Sequence, residues 1–347
     1  MHKSISCFSK MLLLSETQVH ECLSMKDCVE VNRRALASLR PGGGSKVPTR
    51  LRLPYYTSSK EEEASDWSLF KPAAFYGNDD TIMGMKLVSV RADNPSKGLP
   101  LVPATVMLLD APSGQVQAIL SGTYLTGART AAGSAVATHL VTADKEWKHL
   151  VVFGAGLQAE CHIEALLCVQ PSISQITIIN RSSKRANDLV EDLPSQIKGH
   201  VVLLEDKEGI QQSLKDADVV VVCTNTKTPL FDGSWLPPGC HVNGVGSYTP
   251  AMQEVDETLV NRCRVLVDTP ESLDVGDLKH LDRDTHPWKL LGEALEDPNW
   301  LTDDLDSSII DCTFFKSTGT AIQDVMTAKL VVDRARELGI GNEIDMS

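Results

Sequence analysis

The sequence predicts an α/β protein whose larger part is a doubly wound parallel sheet, and three observations carry that expectation. From Lys148 onward, short continuously apolar runs alternate with helical segments. A glycine-bearing loop, Gly154-Ala155-Gly156-Leu157-Gln158-Ala159, directly follows the first of those runs. Before Lys148 the pattern is different, because apolar runs separated by turn residues imply an antiparallel sheet.

The chain has 347 residues, 42% hydrophobic and 23% charged, a composition that buries a real core. At roughly 100 to 200 residues per domain, two domains are expected. The 33 basic and 46 acidic residues leave a net charge of −13, which speaks against nucleic acid or an anionic membrane as partner. The nine cysteines are scattered and none stands in a two-apart ligand pair, so reduced buried thiols are expected and no metal. The apolar run at 11–14 is too short for a secretory or membrane-spanning segment, which places the expected protein in the cytosol.

In chain order, a helix is expected over 25–39, opened by Ser24 with Asp27 three residues on, and stopped by Pro41 and the glycines at 42–44. The polar stretch 55–68, with its acidic run at 61–63, reads as a solvated surface excursion. Strands are expected over 83–90, 104–109 and 116–120, the last two joined by a turn at 110–114. Between 127 and 141, Ala131, Ala132, Gly133, Ala135 and Ala137 make a helix that can approach a neighbour closely.

The run 150–153 is apolar without alternation, as a strand buried on both faces must be. A helix to about 169, a strand at 175–179 and a helix at 184–193 follow. Further strands are expected at 201–204, 219–223, 241–245 and 265–267, with helical segments at 209–214 and 252–261.

Strand, glycine loop, helix and second strand within about 30 residues is the setting of a dinucleotide site. Gly154 permits the tight turn, Gly156 lets the backbone approach a pyrophosphate, and Ala159 still allows close packing of helix on strand. The helix N-terminus, at Leu157 and Gln158, offers amide donors to phosphate. An NAD site places an acid at the end of the second strand, to accept from the ribose hydroxyls. Here Asn180-Arg181-Ser182 stands there instead, with Lys184 and Arg185 just beyond, so NADPH is expected over NADH.

Several blocks in order carry a family resemblance from about residue 48 to 338. They are Gly84-Met85-Lys86-Leu87-Val88, Thr126-Gly127-Ala128-Arg129-Thr130-Ala131-Ala132, the loop at 154–159, Asn180-Arg181-Ser182, and Phe315-Lys316-Ser317-Thr318-Gly319. The chain resembles the ornithine cyclodeaminase/mu-crystallin family. That resemblance implies a Rossmann domain over 131–318 and a discontinuous α+β substrate and dimerisation domain from 1–130 and 319–347. It also implies a homodimer, with the nicotinamide facing the cleft between the domains.

A 2-imino acid or cyclic ketimine brings a carboxylate to be held, and a guanidinium binds it through two parallel hydrogen bonds. Arg129 and Arg50 match positions that similar proteins use for this, although Arg52 competes for the second assignment. Lys86 matches the family's active-site lysine. It sits inside an apolar strand, where a partly desolvated ammonium with a lowered pKa can protonate the imine nitrogen. For the cofactor, the resemblance adds Thr130, Thr224, Val245, Ser247 and Ser317 to Gly154, Ala155, Gly156, Leu157, Gln158, Asn180, Arg181, Ser182 and Arg185.

Cyclodeaminases are expected to carry an aspartate after the fifth Rossmann strand, whereas Val245-Gly246-Ser247-Tyr248-Thr249 holds no acid. Ammonia elimination from a diamine thereby loses a general base that imine reduction does not need. The expected activity is therefore NADPH-dependent reduction of cyclic ketimine carboxylates to pipecolate or proline. Three other readings share these residues: an alanine-type dehydrogenase, an ornithine cyclodeaminase, and a protein that binds NADPH and a small carboxylate without turnover. His162 and His139 are expected to be packing residues.

Overall fold

The computed structural model describes residues 10–55, 66–78, 80–142, 145–301 and 310–346. The chain divides into two compact units, Met1–Arg129 with Thr320–Ser347, and Thr130–Gly319.

The first unit begins with β1 (Lys10–Leu14), α1 (Glu16–Cys22) and α2 (Met25–Ala37). The Ser24 side chain accepts from the Asp27 amide, as its spacing predicts. The strands β2 (Ser45–Lys46), β3 (Leu51–Tyr55), β4 (Asp66–Tyr76), β5 (Thr81–Val90), β6 (Ala104–Leu109) and β7 (Val116–Ser121) follow, and then α3 (Thr123–Thr142). Neighbouring strands run in the order β1, β7, β6, β5, β4, β2, with β3 also paired to β4. The pairing is antiparallel except between β1 and β7.

Two expectations change here. The excursion expected over 55–68 lies outside the described residues at 56–65, but from Asp66 the chain is already the longest strand of the sheet. Pro72 hid that strand, because proline lacks a ladder donor. The fold absorbs it where β3, paired at 66–70, and β2, paired at 74–75, leave the edge of β4 open. The small-residue helix starts at Thr123 instead of Gly127, which places Arg129 in its second turn.

The second unit contains β8 (His149–Phe153), α4 (Leu157–Val169), β9 (Gln175–Asn180), α5 (Ser183–Glu191), β10 (Lys198–Leu203), α6 (Lys207–Lys215), β11 (Val219–Val222) and β12 (His241–Gly244). It continues with α7 (Glu257–Asn261), β13 (Cys263–Val267), β14 (Trp288–Leu290), α8 (Leu291–Ala294) and β15 (Cys312–Lys316). All pairs are parallel, in the order β10, β9, β8, β11, β12, β15, β13, β14. Both faces are dry. Val151, Phe153, Val220 and Val222 enter one core, and Leu150, Val152, Val219 and Val221 the other.

The strand β15, which no local signal announced, inserts between β12 and β13. The helix expected over 252–261 shortens to α7. Asp256 caps it by accepting from the Leu259 amide, while Asp277 Oδ1 takes the amides of Glu254 and Val255 and holds them out of a helix.

The chain then returns to the first unit as α9 (Ala321–Leu338) and the edge strand β16 (Asn342–Asp345), which pairs with β1. The helix packs across β4, β5 and β6. Gly84 makes this possible: a Cβ there would run into the Met107 carbonyl and stand 3.3 Å from Val325 on α9. No helix among the described residues is long and apolar enough to cross a membrane.

Candidate active site

The inner face of β5 alternates Ile82, Gly84, Lys86, Val88 and Val90 toward α9, so pleating alone turns Lys86 inward. Directly opposite it on β4 is Lys71. From α9 comes Asp324, in the first helical turn, where the dipole favours a negative charge. From α3 comes Arg129. All four are buried, with exposures of 5% for Lys71, 1% for Lys86, 4% for Arg129 and 0% for Asp324.

Asp324 Oδ1 accepts from Lys86 Nζ at 2.6 Å and from Arg129 Nε at 2.7 Å. Lys71 Nζ stands 3.7 Å from Asp324 Oδ2, which accepts no hydrogen bond. Lys86 Nζ also donates to Thr126 Oγ1 at 3.2 Å, and Gln323 Nε2 donates to the Arg129 carbonyl at 3.2 Å, tying α9 to α3. Three cations thus share one carboxylate. Arg129 Nη1 is buried and makes no hydrogen bond, a state that costs about 1–3 kcal/mol or more unless an acceptor fills it.

Protonation states follow from this geometry. Burial pushes the Lys86 ammonium well below its ordinary pKa, the charge of Arg129 adds to that, and Asp324 opposes it. Burial works against the Asp324 carboxylate too, but Arg129, Lys86 and Lys71 outweigh it and hold the group at about 2.

The structure brings Lys86 and Arg129 together. Arg50, half-buried in the loop before β3, makes no hydrogen bond or ion pair with another described residue, whereas Arg52 stacks over Trp67 at 5.4 Å. Sequence reasoning missed Lys71, hidden in a segment without clear alternation. It also missed Asp324, whose signal was an acid flanked by Ala321, Ile322, Val325 and Met326 at the start of a buried helix.

The second unit supplies a distinct set. Gly154 has φ +118, and a Cβ there would stand 3.0 Å from Cys223 Sγ, so conformation and space both require glycine. Gly156 is the N-cap of α4 and faces open space, with Ala155 half-buried beside it and Leu157 exposed. Gln158 Oε1 is buried without a partner. An open backbone cradle at a helix N-terminus fits a pyrophosphate. Asn180 Nδ2 donates to the Ser182 carbonyl at 3.1 Å, and Ser182 Oγ caps α5. Arg181 and Arg185 are exposed and pair with no described residue, while Lys184 pairs with Asp188.

Other expected cofactor residues are engaged inside the unit. The Thr224 amide and hydroxyl donate to Glu254 Oε1 at 2.6 and 2.8 Å, and the Gly246 and Ser247 amides donate to Oε2 at 2.6 and 3.0 Å. Ser247 Oγ donates to the Met252 carbonyl, and the Val245 amide to the Val222 carbonyl. Ser317 Oγ donates to Asp268, which also collects the Thr318 and Gly319 amides. Thr130 is buried at the start of the unit.

The loop after β12 holds no acid, but the fold brings one beneath it. Glu254 is fully buried with its oxygens turned to backbone amides, so it braces the turn. Behind it Lys316 Nζ donates to Asp277 Oδ2 at 2.8 Å. Buried His162 lies between Ser134 Oγ and the Gln158 carbonyl, and burial pushes it down to about 4.

Comparison with known proteins adds a deciding observation. The model of the ornithine cyclodeaminase/mu-crystallin family matches residues 9–339. The chain belongs to that family. Among its relatives in the family is a delta(1)-pyrroline-2-carboxylate reductase of Bacillus cereus, 30% identical over 348 residues, which cover 96% of this chain and 100% of the relative. Another is the ketimine reductase mu-crystallin of Mus musculus, 29% identical, with 84% of this chain and 86% of the relative covered. The structure resembles a Thermococcus litoralis delta(1)-pyrroline-2-carboxylate reductase in complex with NADH and L-proline. The TM-score is 0.83 and the identity 29%, over 96% of this chain and 100% of that one. The doubly wound fold is therefore shared with a reductase whose structure holds NADH.

Proposed function

We propose that this protein is an NADPH-dependent reductase of cyclic ketimine carboxylates such as 1-piperideine-2-carboxylate and 1-pyrroline-2-carboxylate, giving pipecolate and proline. The observation that carries the reading is the cluster of Lys71, Lys86 and Arg129 around Asp324, which holds more cations than anions and leaves Arg129 Nη1 without an acceptor. A substrate carboxylate supplies that acceptor, and a guanidinium holds it in a fixed plane. The named activities of the Bacillus and mouse relatives support the same chemistry.

Reduction of C=N to CH–NH adds a hydride to carbon and a proton to nitrogen. When bound, the reduced nicotinamide supplies the hydride. Lys86, with its ammonium destabilised by burial, gives up its proton to the imine nitrogen more readily than an exposed lysine does. Asp324 stays ionised and keeps Lys86 and Arg129 in register. Arg50 is the remaining candidate for the carboxylate.

Preference for NADPH rests on the exposed Arg181 and Arg185 beyond β9, where no acid stands to repel a 2′-phosphate. Homodimerisation rests on the outer face of the first sheet. Pro72, Ala74, Met83, Met85 and Met107 line an apolar groove of about 430 Å³ there, and Leu51 and Leu87 are exposed on either side of Phe70. Cytosolic residence is consistent with the described cysteines all being free thiols.

The test mixes pure protein, NADPH and chemically prepared 1-piperideine-2-carboxylate and follows the absorbance of the reduced nicotinamide. Oxidation with stoichiometric pipecolate supports the reading. Oxidation only with ammonium and an open-chain keto acid selects the dehydrogenase. Ammonia release from ornithine selects the cyclodeaminase, and tight NADPH binding without turnover selects the binding protein.

A further inference from the structure

Each turnover of an imine reductase empties its proton donor, and a buried donor must be refilled. When the hydride goes to carbon and the Lys86 proton to nitrogen, Lys86 is left as a neutral amine on a side chain only 1% exposed. Refilling it consumes one proton from solvent. Some group has to join the amine to water.

The contacts of Nζ narrow the choice to one. Among the described residues Lys86 Nζ has two hydrogen-bond partners, Asp324 Oδ1 at 2.6 Å and Thr126 Oγ1 at 3.2 Å. Arg129, Lys86 and Lys71 hold Asp324 at about 2, so near neutral pH it is a bare carboxylate with no proton to give, and it is fully buried. Arg129 shares the same oxygen and does not give up its proton.

Thr126 differs in kind. A hydroxyl accepts at two lone pairs and donates one proton, so it can take a proton on one side while it gives one on the other. Thr126 has a partner besides Lys86, and that capacity serves both. It is also half-buried, whereas Lys71, Lys86, Arg129 and Asp324 are all buried. Its place follows from the chain: Thr126 and Arg129 are three positions apart on α3 and share a face, so the helix that brings the guanidinium to Asp324 brings the hydroxyl to Lys86.

We propose that solvent returns the proton to Lys86 through Thr126. The Thr126 oxygen takes a proton from water while its own proton passes to the lone pair of Lys86 Nζ, one O–H bond breaking as the N–H bond forms. Thr126 acts through Lys86 and does not touch the substrate, so it is a positioning residue. This rests on the reductase reading above and adds the step that closes its proton cycle.

Two measurements on the full-length protein test it, each made on the wild type, Thr126→Val and Thr126→Ser. Stopped-flow mixing with NADPH and 1-piperideine-2-carboxylate separates the first turnover, which uses the proton already on Lys86, from the steady state, which needs a new one each cycle. In Thr126→Val the first turnover should keep its wild-type rate, while kcat falls about tenfold or more and KM stays nearly constant. The second measurement needs neither cofactor nor substrate: nuclear magnetic resonance of protein labelled with nitrogen-15 lysine reads how fast the Lys86 ammonium exchanges protons with water, its signal being the one lost in Lys86→Arg. Exchange should slow by a similar factor in Thr126→Val, and Thr126→Ser should restore both rates. Unchanged kcat, unchanged exchange, or a first turnover slowed as much as kcat overturns the proposal. Should the wild type reduce no imine, the reductase reading fails, and the exchange rate still decides the role of Thr126. If Thr126→Val does not fold, Thr126→Ala takes its place in both measurements.

Discussion

Lys71 and Lys86 are cross-strand partners, directly opposite on the inner face of β4 and β5, and Asp324 of α9 is the carboxylate they share. Two buried ammonium groups at that spacing repel, so one strand pair depends for its electrostatic balance on a helix far away in the chain. The site and the packing of α9 on the sheet are therefore one structure. Whatever perturbs the carboxylate perturbs both.

Asp324→Asn should accordingly lose stability and activity together. The carboxamide removes the negative charge that Lys86 and Arg129 hydrogen-bond, which costs about 3–5 kcal/mol by analogy with broken buried pairs. Denaturant unfolding reads the first effect and kcat the second, with an expected fall of about 100-fold or more. Unchanged unfolding would contradict the assigned role of this carboxylate.

Acid should expose the same carboxylate. Its folded pKa, about 2, lies below the ordinary Asp value, so its stabilising contribution is complete above about 4 and is lost as the pH falls toward 2. Urea midpoints of the wild type should drop across that window more steeply than those of Asp324→Asn, for which this group no longer titrates.

On the alkaline side, activity should follow the Lys86 proton. Burial, with Arg129 adding to it, lowers that pKa, so kcat/KM should fall with rising pH through an apparent pKa well under the ordinary lysine value of about 10.4. Removing a neighbouring positive charge in Lys71→Met should move this limb to higher pH. A limb that stays in place would separate Lys71 from the proton donor.

Arg181→Ala tests the nucleotide. With no acid at the end of β9 and Arg181 exposed there, loss of the guanidinium should raise KM for NADPH about tenfold or more, about 1.4 kcal/mol, while KM for NADH stays nearly constant. Equal effects on both cofactors would remove the phosphate from the account.

Glu254→Gln tests the brace under the loops after β11 and β12. Glu254 accepts four donors from Thr224, Gly246 and Ser247, and an amide cannot accept at its nitrogen. The expected cost is about 1–3 kcal/mol in unfolding, together with weaker nucleotide binding measured by fluorescence titration. A variant with wild-type stability would show that those amides find other acceptors.

Features that depend on residues close together in the chain were legible before any coordinates. The Ser24 cap, the doubly buried strands at 150–153 and 219–223, and the glycine loop at 154–159 each follow from local sterics, periodicity or backbone hydrogen bonding. The family resemblance pointed to Lys86 and Arg129 because both sit in short, distinctive blocks. Elements whose identity depends on neighbours far along the chain were missed: β4 with its internal proline, β15 between β12 and β13, and the shortened helix before Asn261.

The charge balance of the site belongs to that second class. Lys86 and Asp324 are 238 positions apart, and nothing near either residue announces the other. Sheet register places Lys71 beside Lys86, and the close approach of α9 over Gly84 delivers the carboxylate. Residue type and neighbouring pattern specify each side chain's chemistry. Electrostatic energy in a dry interior falls with distance in space, and so only the folded chain sets which charges meet and how many remain for a ligand to neutralise.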